Sequence, residues 1–235
     1  MTYTYFFKTA CYLILSLVLP AISSAQAPTP IKAEIVTLSW EGNIKDLWYQ
    51  GSKAPEKLDV YESGFTMPFE YSGPPNIAFY KDKAVLALDP EKRPPPDAIA
   101  KLPKNGGSVM LLFTADPNDS GKWDIRSFDN SLSNFPPGSY RIFNLTDSPI
   151  QVAIDKTVNP AIAAKNLAVI SPPSGEAIRD IMIQIAMGKN IAYSSQWGHR
   201  DVRRATVFIS PSTRGEGRLE IRKFFQAVIP EGPKP

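Results

Sequence analysis

The stretch Ile181-Met182-Ile183-Gln184-Ile185-Ala186-Met187-Gly188-Lys189-Asn190-Ile191-Ala192-Tyr193-Ser194-Ser195-Gln196-Trp197 decides how this chain folds. Ile181, Ile183, Ile185 and Met187 fall on every second residue. Ile191, Tyr193, Ser195 and Trp197 form a second such row. Period two is the spacing of a strand with one buried face. Gly188-Lys189-Asn190 between the rows supplies turn chemistry, so the pair reads as a β-hairpin. Ser174 is placed to cap a helix over 176–187, but the β-branched alternation favours strand there.

The same period recurs outward from this hairpin. Leu58 and Val60 alternate with polar neighbours, as do Trp123 and Ile125, Ile150 with Val152 and Ile154, and Leu219 with Ile221. Val109–Phe113 and Val207–Ile209 are apolar throughout, which suits strands covered on both faces. Asp116–Gly121 connects Val109–Phe113 to Trp123–Phe128, and Arg214-Gly215-Glu216-Gly217 joins the last two strands. Thr146-Asp147-Ser148-Pro149 reads as another hairpin, between 140–145 and 150–154. The 23 prolines are hostile to long helices. Only 97–102 and 161–167 suggest short helical turns. These elements predict an all-β fold: an antiparallel β-sandwich, Ig-like or jelly-roll-like, with at most one or two short helices. It is expected as one domain over 32–228, with two packed subdomains split near 91–107 as the alternative. Residues 26–31 read as a flexible lead-in and 229–235 as a proline-rich tail. No internal repeat is visible.

The N-terminus reads as a secretory signal. Lys8 precedes an apolar run from Ala10 to Leu19, Pro20 ends it, and Ser23-Ser24-Ala25 offers the small residues a signal peptidase recognises. The run is shorter than the roughly 20 residues a membrane span needs. Cleavage after Ala25 leaves Gln26 first. Loss of Lys8 lowers the formal charge from +3 to +2, a balance that excludes a general nucleic-acid binder. Cys11, the single cysteine, lies before the apolar run, where lipidation does not occur. The mature chain then has no thiol and no disulfide, and a secreted or periplasmic, bacterial-envelope setting is expected.

Chemistry-bearing patterns are sparse. His199 is the only histidine and sits in Gly198-His199-Arg200-Asp201, read as a surface loop. No Gly-x-Ser-x-Gly elbow occurs. With one histidine and no mature cysteine, no zinc site is expected. Asp116, Asn118 and Asp119 lack the rest of a calcium loop and read as a solvated turn. No cofactor and no metal are expected. Two groups of residues carry the binding hypotheses. Trp40, Trp48, Trp123 and Trp197 are able to stack on sugar rings if exposed and coplanar. Arg200, Arg203, Arg204, Arg214, Arg218 and Arg222 make the C-terminal third basic and suit an anionic surface if they share a face.

Phe135-Pro136-Pro137-Gly138-Ser139-Tyr140-Arg141-Ile142-Phe143-Asn144-Leu145-Thr146, followed by Ile150–Ile154, is similar to a segment of exported bacterial β-sandwich proteins of no known function. Tyr71-x-Gly73-Pro74 and 203–209 share that character. The resemblance covers about a quarter of the chain. It implies a sandwich and an exported location, and it transfers no active site. The expected function is therefore a non-enzymatic envelope protein that binds a partner protein or surface polymer. A carbohydrate-binding module is the first alternative, and a hydrolase using carboxylates or His199 is the second.

Overall fold

A computed structural model describes residues 30–215 and 217–228. The signal segment, its cleavage point and the tail 229–235 lie outside the described residues. The first eight strands are β1 (Ile31–Ser39), β2 (Ile44–Gln50), β3 (Pro55–Val60), β4 (Phe69–Gly73), β5 (Asn76–Tyr80), β6 (Ala98–Lys101), β7 (Gly107–Ala115) and β8 (Trp123–Asp129). The second eight are β9 (Tyr140–Asn144), β10 (Ile150–Ile154), β11 (Thr157–Val158), β12 (Leu167–Ile170), β13 (Ile178–Met187), β14 (Asn190–Arg200), β15 (Arg203–Pro211) and β16 (Leu219–Ala227). Two 3-10 turns, Lys83–Ala87 and Pro90–Lys92, are the helical elements described. The all-β sandwich class follows directly.

The strands form four sheets of four, in the orders β3-β2-β5-β6, β4-β1-β7-β8, β12-β9-β15-β16 and β11-β10-β13-β14. The first two enclose one core, built on Ile35, Leu47, Phe79, Val109, Leu111 and Phe113. The last two enclose another, built on Ile142, Val152, Ile181, Ile183, Ile185 and Val207. There are thus two sandwiches, each with its own core. They join through residues 130–139, whereas 91–107 lies inside the first sandwich and contains β6. The two short helical candidates also change. Residues 98–101 pair with β5, and Ile162 forms an isolated bridge to Ile150.

A third apolar layer lies between the sandwiches. Val36, Leu38, Met110 and Leu112 from β1 and β7 meet Phe143, Phe208 and Phe224 from β9, β15 and β16. Phe143 stacks on Phe208 at 4.7 Å between centroids. This explains the continuous apolar runs: β7 and β15 have a core on each face, so neither alternates. The molecule is a stack of four sheets with three apolar layers.

The two halves repeat one topology. Each strand of the first half has its counterpart eight strands later, in the same sheet position. Each half contains one parallel pair, β1 with β7 and β9 with β15, in an otherwise antiparallel arrangement. Residues 109–128 and 205–224 correspond at a constant offset without a gap. Phe113 pairs with Ile125 as Ile209 pairs with Ile221. Both hairpins close alike, with Asp116 N bonding Lys122 O at 3.1 Å and Ser212 N bonding Arg218 O at 2.9 Å. Gly121 and Gly217, at φ +95° and +73°, occupy the same left-handed position. Asp124-Ile125-Arg126-Ser127-Phe128 matches Glu220-Ile221-Arg222-Lys223-Phe224. An internal repeat is therefore present, contrary to the sequence reading.

Thr146–Pro149 does not make a hairpin. β9 and β10 belong to different sheets, so the segment arches across the core. The buried Asn144 side chain holds the arch. Its Nδ2 donates to Ser148 O at 2.9 Å, Ala163 O at 3.0 Å and Ile162 O at 3.1 Å. Its Oδ1 accepts from Thr146 N at 3.0 Å and Thr146 Oγ1 at 2.8 Å. One side chain thus ties the two sides of the arch together and pairs the buried Thr146 N–H.

Candidate functional site

The four tryptophans occupy four separate places and form no platform. Trp40, Trp48 and Trp123 are half-buried and Trp197 is buried. Each ring carries a cation: Arg222 over Trp40 at 4.5 Å, Lys83 over Trp48 at 4.9 Å, Lys81 over Trp123 at 4.7 Å and Lys223 over Trp197 at 4.4 Å. Trp197 also donates from Nε1 to Tyr193 Oη at 3.0 Å. The rings are engaged within the protein, with their faces covered by its own lysines and arginines.

The arginines likewise disperse. Arg200 is exposed on β14, and Arg214 and Arg218 are exposed around the β15–β16 turn. Arg203 lies over Phe225 at 4.8 Å. Arg222 reaches back to the first sandwich, donating to Trp40 O at 2.9 Å and Glu62 O at 3.1 Å. Arg204 is buried between the sandwiches. The six do not share one anion-binding face.

Arg204 belongs instead to a joint. The linker residue Phe135 is fully buried, with Arg141 Cζ at 4.2 Å and Arg204 Cζ at 4.8 Å from its ring centroid. Arg204 Nη1 donates to Phe135 O at 2.8 Å and Asn130 O at 2.9 Å. Arg141 donates to Asp129 O, and to Asn130 Oδ1 at 3.5 Å. Desolvation pulls the Arg141 guanidinium down to about 10, with Arg204 adding repulsion, and desolvation lowers Arg204 too. Both stay charged at neutral pH, held by carbonyls and one ring. Sequence reasoning missed Arg141 and Phe135, because arginine alternating with apolar residues looks like an outward-facing position.

His199 is buried on β14, not in a surface loop. Its Nε2 lies 2.7 Å from Asp201 Oδ1 and its Nδ1 3.0 Å from Tyr140 Oη. Asp201 fixes the tautomer by accepting from Nε2, which leaves Nδ1 to accept from the tyrosine. Desolvation pushes the Tyr140 hydroxyl up to about 12. A cleft of about 220 Å³ opens beside this chain, lined by Pro137, Gly138, Pro172, Pro173 and Arg179. Arg179 donates to Glu176 O and to Pro173 O at 2.6 Å, and its Nη1 lies 3.7 Å from Asp201 Oδ1. No serine or threonine hydroxyl bonds His199 among the described residues, and its two nitrogens face Asp201 and Tyr140. Also among the described residues, no three His, Cys, Asp or Glu side chains gather as a metal-binding group. No helix there is long and apolar enough to cross a membrane.

What the surface offers among the described residues is strand edges, eight in number, and seven of these are blunted. β3 starts at Pro55 and carries Glu56, Lys57 and Asp59. β4 has five residues between Pro68 and Pro74, β11 has two, and β12 has four before Pro172. β6 and β8 face each other, and Trp123 N bonds Asp97 O at 3.2 Å. β16 carries Glu220, Arg222 and Lys223. These are the devices that keep edges from pairing. β14 has none along Tyr193-Ser194-Ser195-Gln196-Trp197-Gly198-His199, which contains no proline, lysine or carboxylate. Its bulge lies near the hairpin tip, opposite Ile185/Ala186, so Tyr193–Arg200 runs in unbroken register with β13. Asp201 N bonds Ala177 O at 2.9 Å, so alternate pairs back from it are hydrogen-bonded. Ser195, Trp197 and His199 thus bond β13. Ser194, Gln196 and Gly198 turn their N–H and C=O groups away from it.

No family model matches the chain, and no curated protein matches it at a significant level.

Proposed function

We propose that this protein is an exported, non-enzymatic envelope protein that binds an extended segment of a partner polypeptide by adding it to the edge of β14. The observation that carries this reading is the contrast among the edges: seven blunted, one of eleven residues left open. Strand addition draws affinity from main-chain hydrogen bonds and selects partners by alternate side chains. The rest of the molecule supports a scaffold role. Three apolar layers and the Phe135 joint make one stiff body that holds β14 in a fixed frame. The buried polar groups Asn144, His199 and Arg204 bond inward. Export rests on the leader read in residues 1–25, and a protein binder fits that compartment.

The test is recovery of partners from envelope extracts by the wild type and by a Ser194→Lys/Gln196→Lys variant, run beside a glycan and ester hydrolysis panel. A partner held by the wild type and lost by the variant supports the reading. Turnover of any panel substrate that disappears in His199→Ala replaces it with a hydrolase.

A further inference from the structure

We infer that the segment β14 accepts is β14 of a second copy, paired antiparallel about Ser195 to form one continuous eight-stranded sheet across a two-fold axis. This rests on the edge reading above and names its occupant.

The argument is self-complementarity. A two-fold contact places one surface patch against itself, so the strand must tolerate its own sequence read backwards. Pairing about Ser195 sets Ser194 opposite Gln196 of the second copy, and the reverse. Both residues turn their main-chain groups away from β13, with Gln196 O taking only the exposed Ser195 hydroxyl at 3.3 Å, so the pairing forms hydrogen-bonded rungs there. Tyr193 falls opposite Trp197 across the junction on the inner face, where the two rings of each copy keep their own hydrogen bond. The charge Arg200 falls opposite Asn190, not opposite itself. No like charges meet anywhere along the strand.

The neighbouring surface permits the approach. On the outer face around Ser194 and Gln196, the neighbours Gln151, Met182 and Gln184 are uncharged, and the charges Asp180 and Arg200 lie towards the far end of the strand. The equivalent edge of the first sandwich, β6, is turned against β8 and is not available. One open edge per chain gives a closed dimer and not a filament. A single strand pair is a small interface, so association is expected in the micromolar range.

The experiment is sedimentation equilibrium on the full mature chain and two double variants, each first checked for wild-type thermal unfolding. The wild type is expected to show a reversible monomer–dimer equilibrium. Ser194→Lys/Gln196→Lys sets lysine opposite lysine twice across the axis and should weaken the dimer about tenfold or more. Ser194→Glu/Gln196→Lys sets glutamate opposite lysine twice and should restore or tighten it. A wild type that stays monomeric throughout the micromolar range overturns the proposal. So does a dimer indifferent to the lysine pair, or one the glutamate–lysine pair fails to rescue. If the wild type is monomeric but still loses an envelope partner on the lysine substitution, the occupant named here is wrong while the edge reading stands.

Discussion

Replacing Phe135 by alanine should uncouple the two sandwiches. Phe135 is fully buried and two guanidinium groups rest on its ring. Truncating a buried phenylalanine costs about 3–5 kcal/mol. Each cation–π contact adds about 0.5–2 kcal/mol when desolvated. The terms are not additive, because the arginines keep their carbonyl partners, so about 4–6 kcal/mol is the expected loss. That is a large share of a domain's typical stability of about 5–15 kcal/mol. Phe135→Leu retains apolar volume and loses the ring face, so it should cost about 1–3 kcal/mol. The assay is guanidinium denaturation followed by tryptophan fluorescence and far-UV circular dichroism. The wild type should unfold in one transition at both wavelengths. Phe135→Ala should unfold earlier and in two, as each sandwich melts separately. A loss below about 1 kcal/mol with one unchanged transition would refute the joint.

Asn144→Ala should cost about 1–3 kcal/mol by chemical denaturation, since it leaves the buried Thr146 N–H unpaired and removes the amide that ties the arch together. The alkaline limb should depend on tyrosine. Tyr140 is raised from 10.0 to about 12, and burial raises Tyr49 and Tyr71 as well. For a hydroxyl whose folded value is raised, the contribution is present below about pH 10 and fades towards pH 12. Tyr140→Phe should flatten part of that slope in thermal melts between about pH 9 and about pH 12. N-terminal sequencing of the protein recovered from its host should begin at Gln26, and an N-terminus retained at Met1 would contradict the leader reading.

Much of the fold was legible because period two survives wherever one strand face meets solvent. β10 and β13 show it plainly, with Val152 and Ile183 inward and Gln151 and Gln184 outward. The double sandwich was not legible from the same signal. β7 and β15 look merely apolar, and the second buried face that causes this is visible only once the sheets stack. Thr146–Pro149 has hairpin chemistry, yet the Asn144 amide decides the path by bonding across the core. The repeat hid because it survives as Ile-Arg-x-Phe and one turn glycine, while the packing partners around it diverged. Residue type alone points to the tryptophans and arginines, and the structure gives the four tryptophans, Arg203, Arg204 and Arg222 to the protein's own cation–π contacts while Arg200, Arg214 and Arg218 stay exposed. The open edge was present in the sequence as a strand without proline or charge between Tyr193 and His199. Its meaning needed the other seven edges for comparison.

Amide hydrogen exchange along β14, followed by nuclear magnetic resonance at low protein concentration, tests the account most directly. Ser195, Trp197 and His199 should be protected by their bonds to β13, while Ser194, Gln196 and Gly198 should exchange quickly and become protected as concentration rises. Uniform protection of all six at low concentration, or fast exchange of the even-numbered three at every concentration and with every partner, would contradict an open edge that binds a strand.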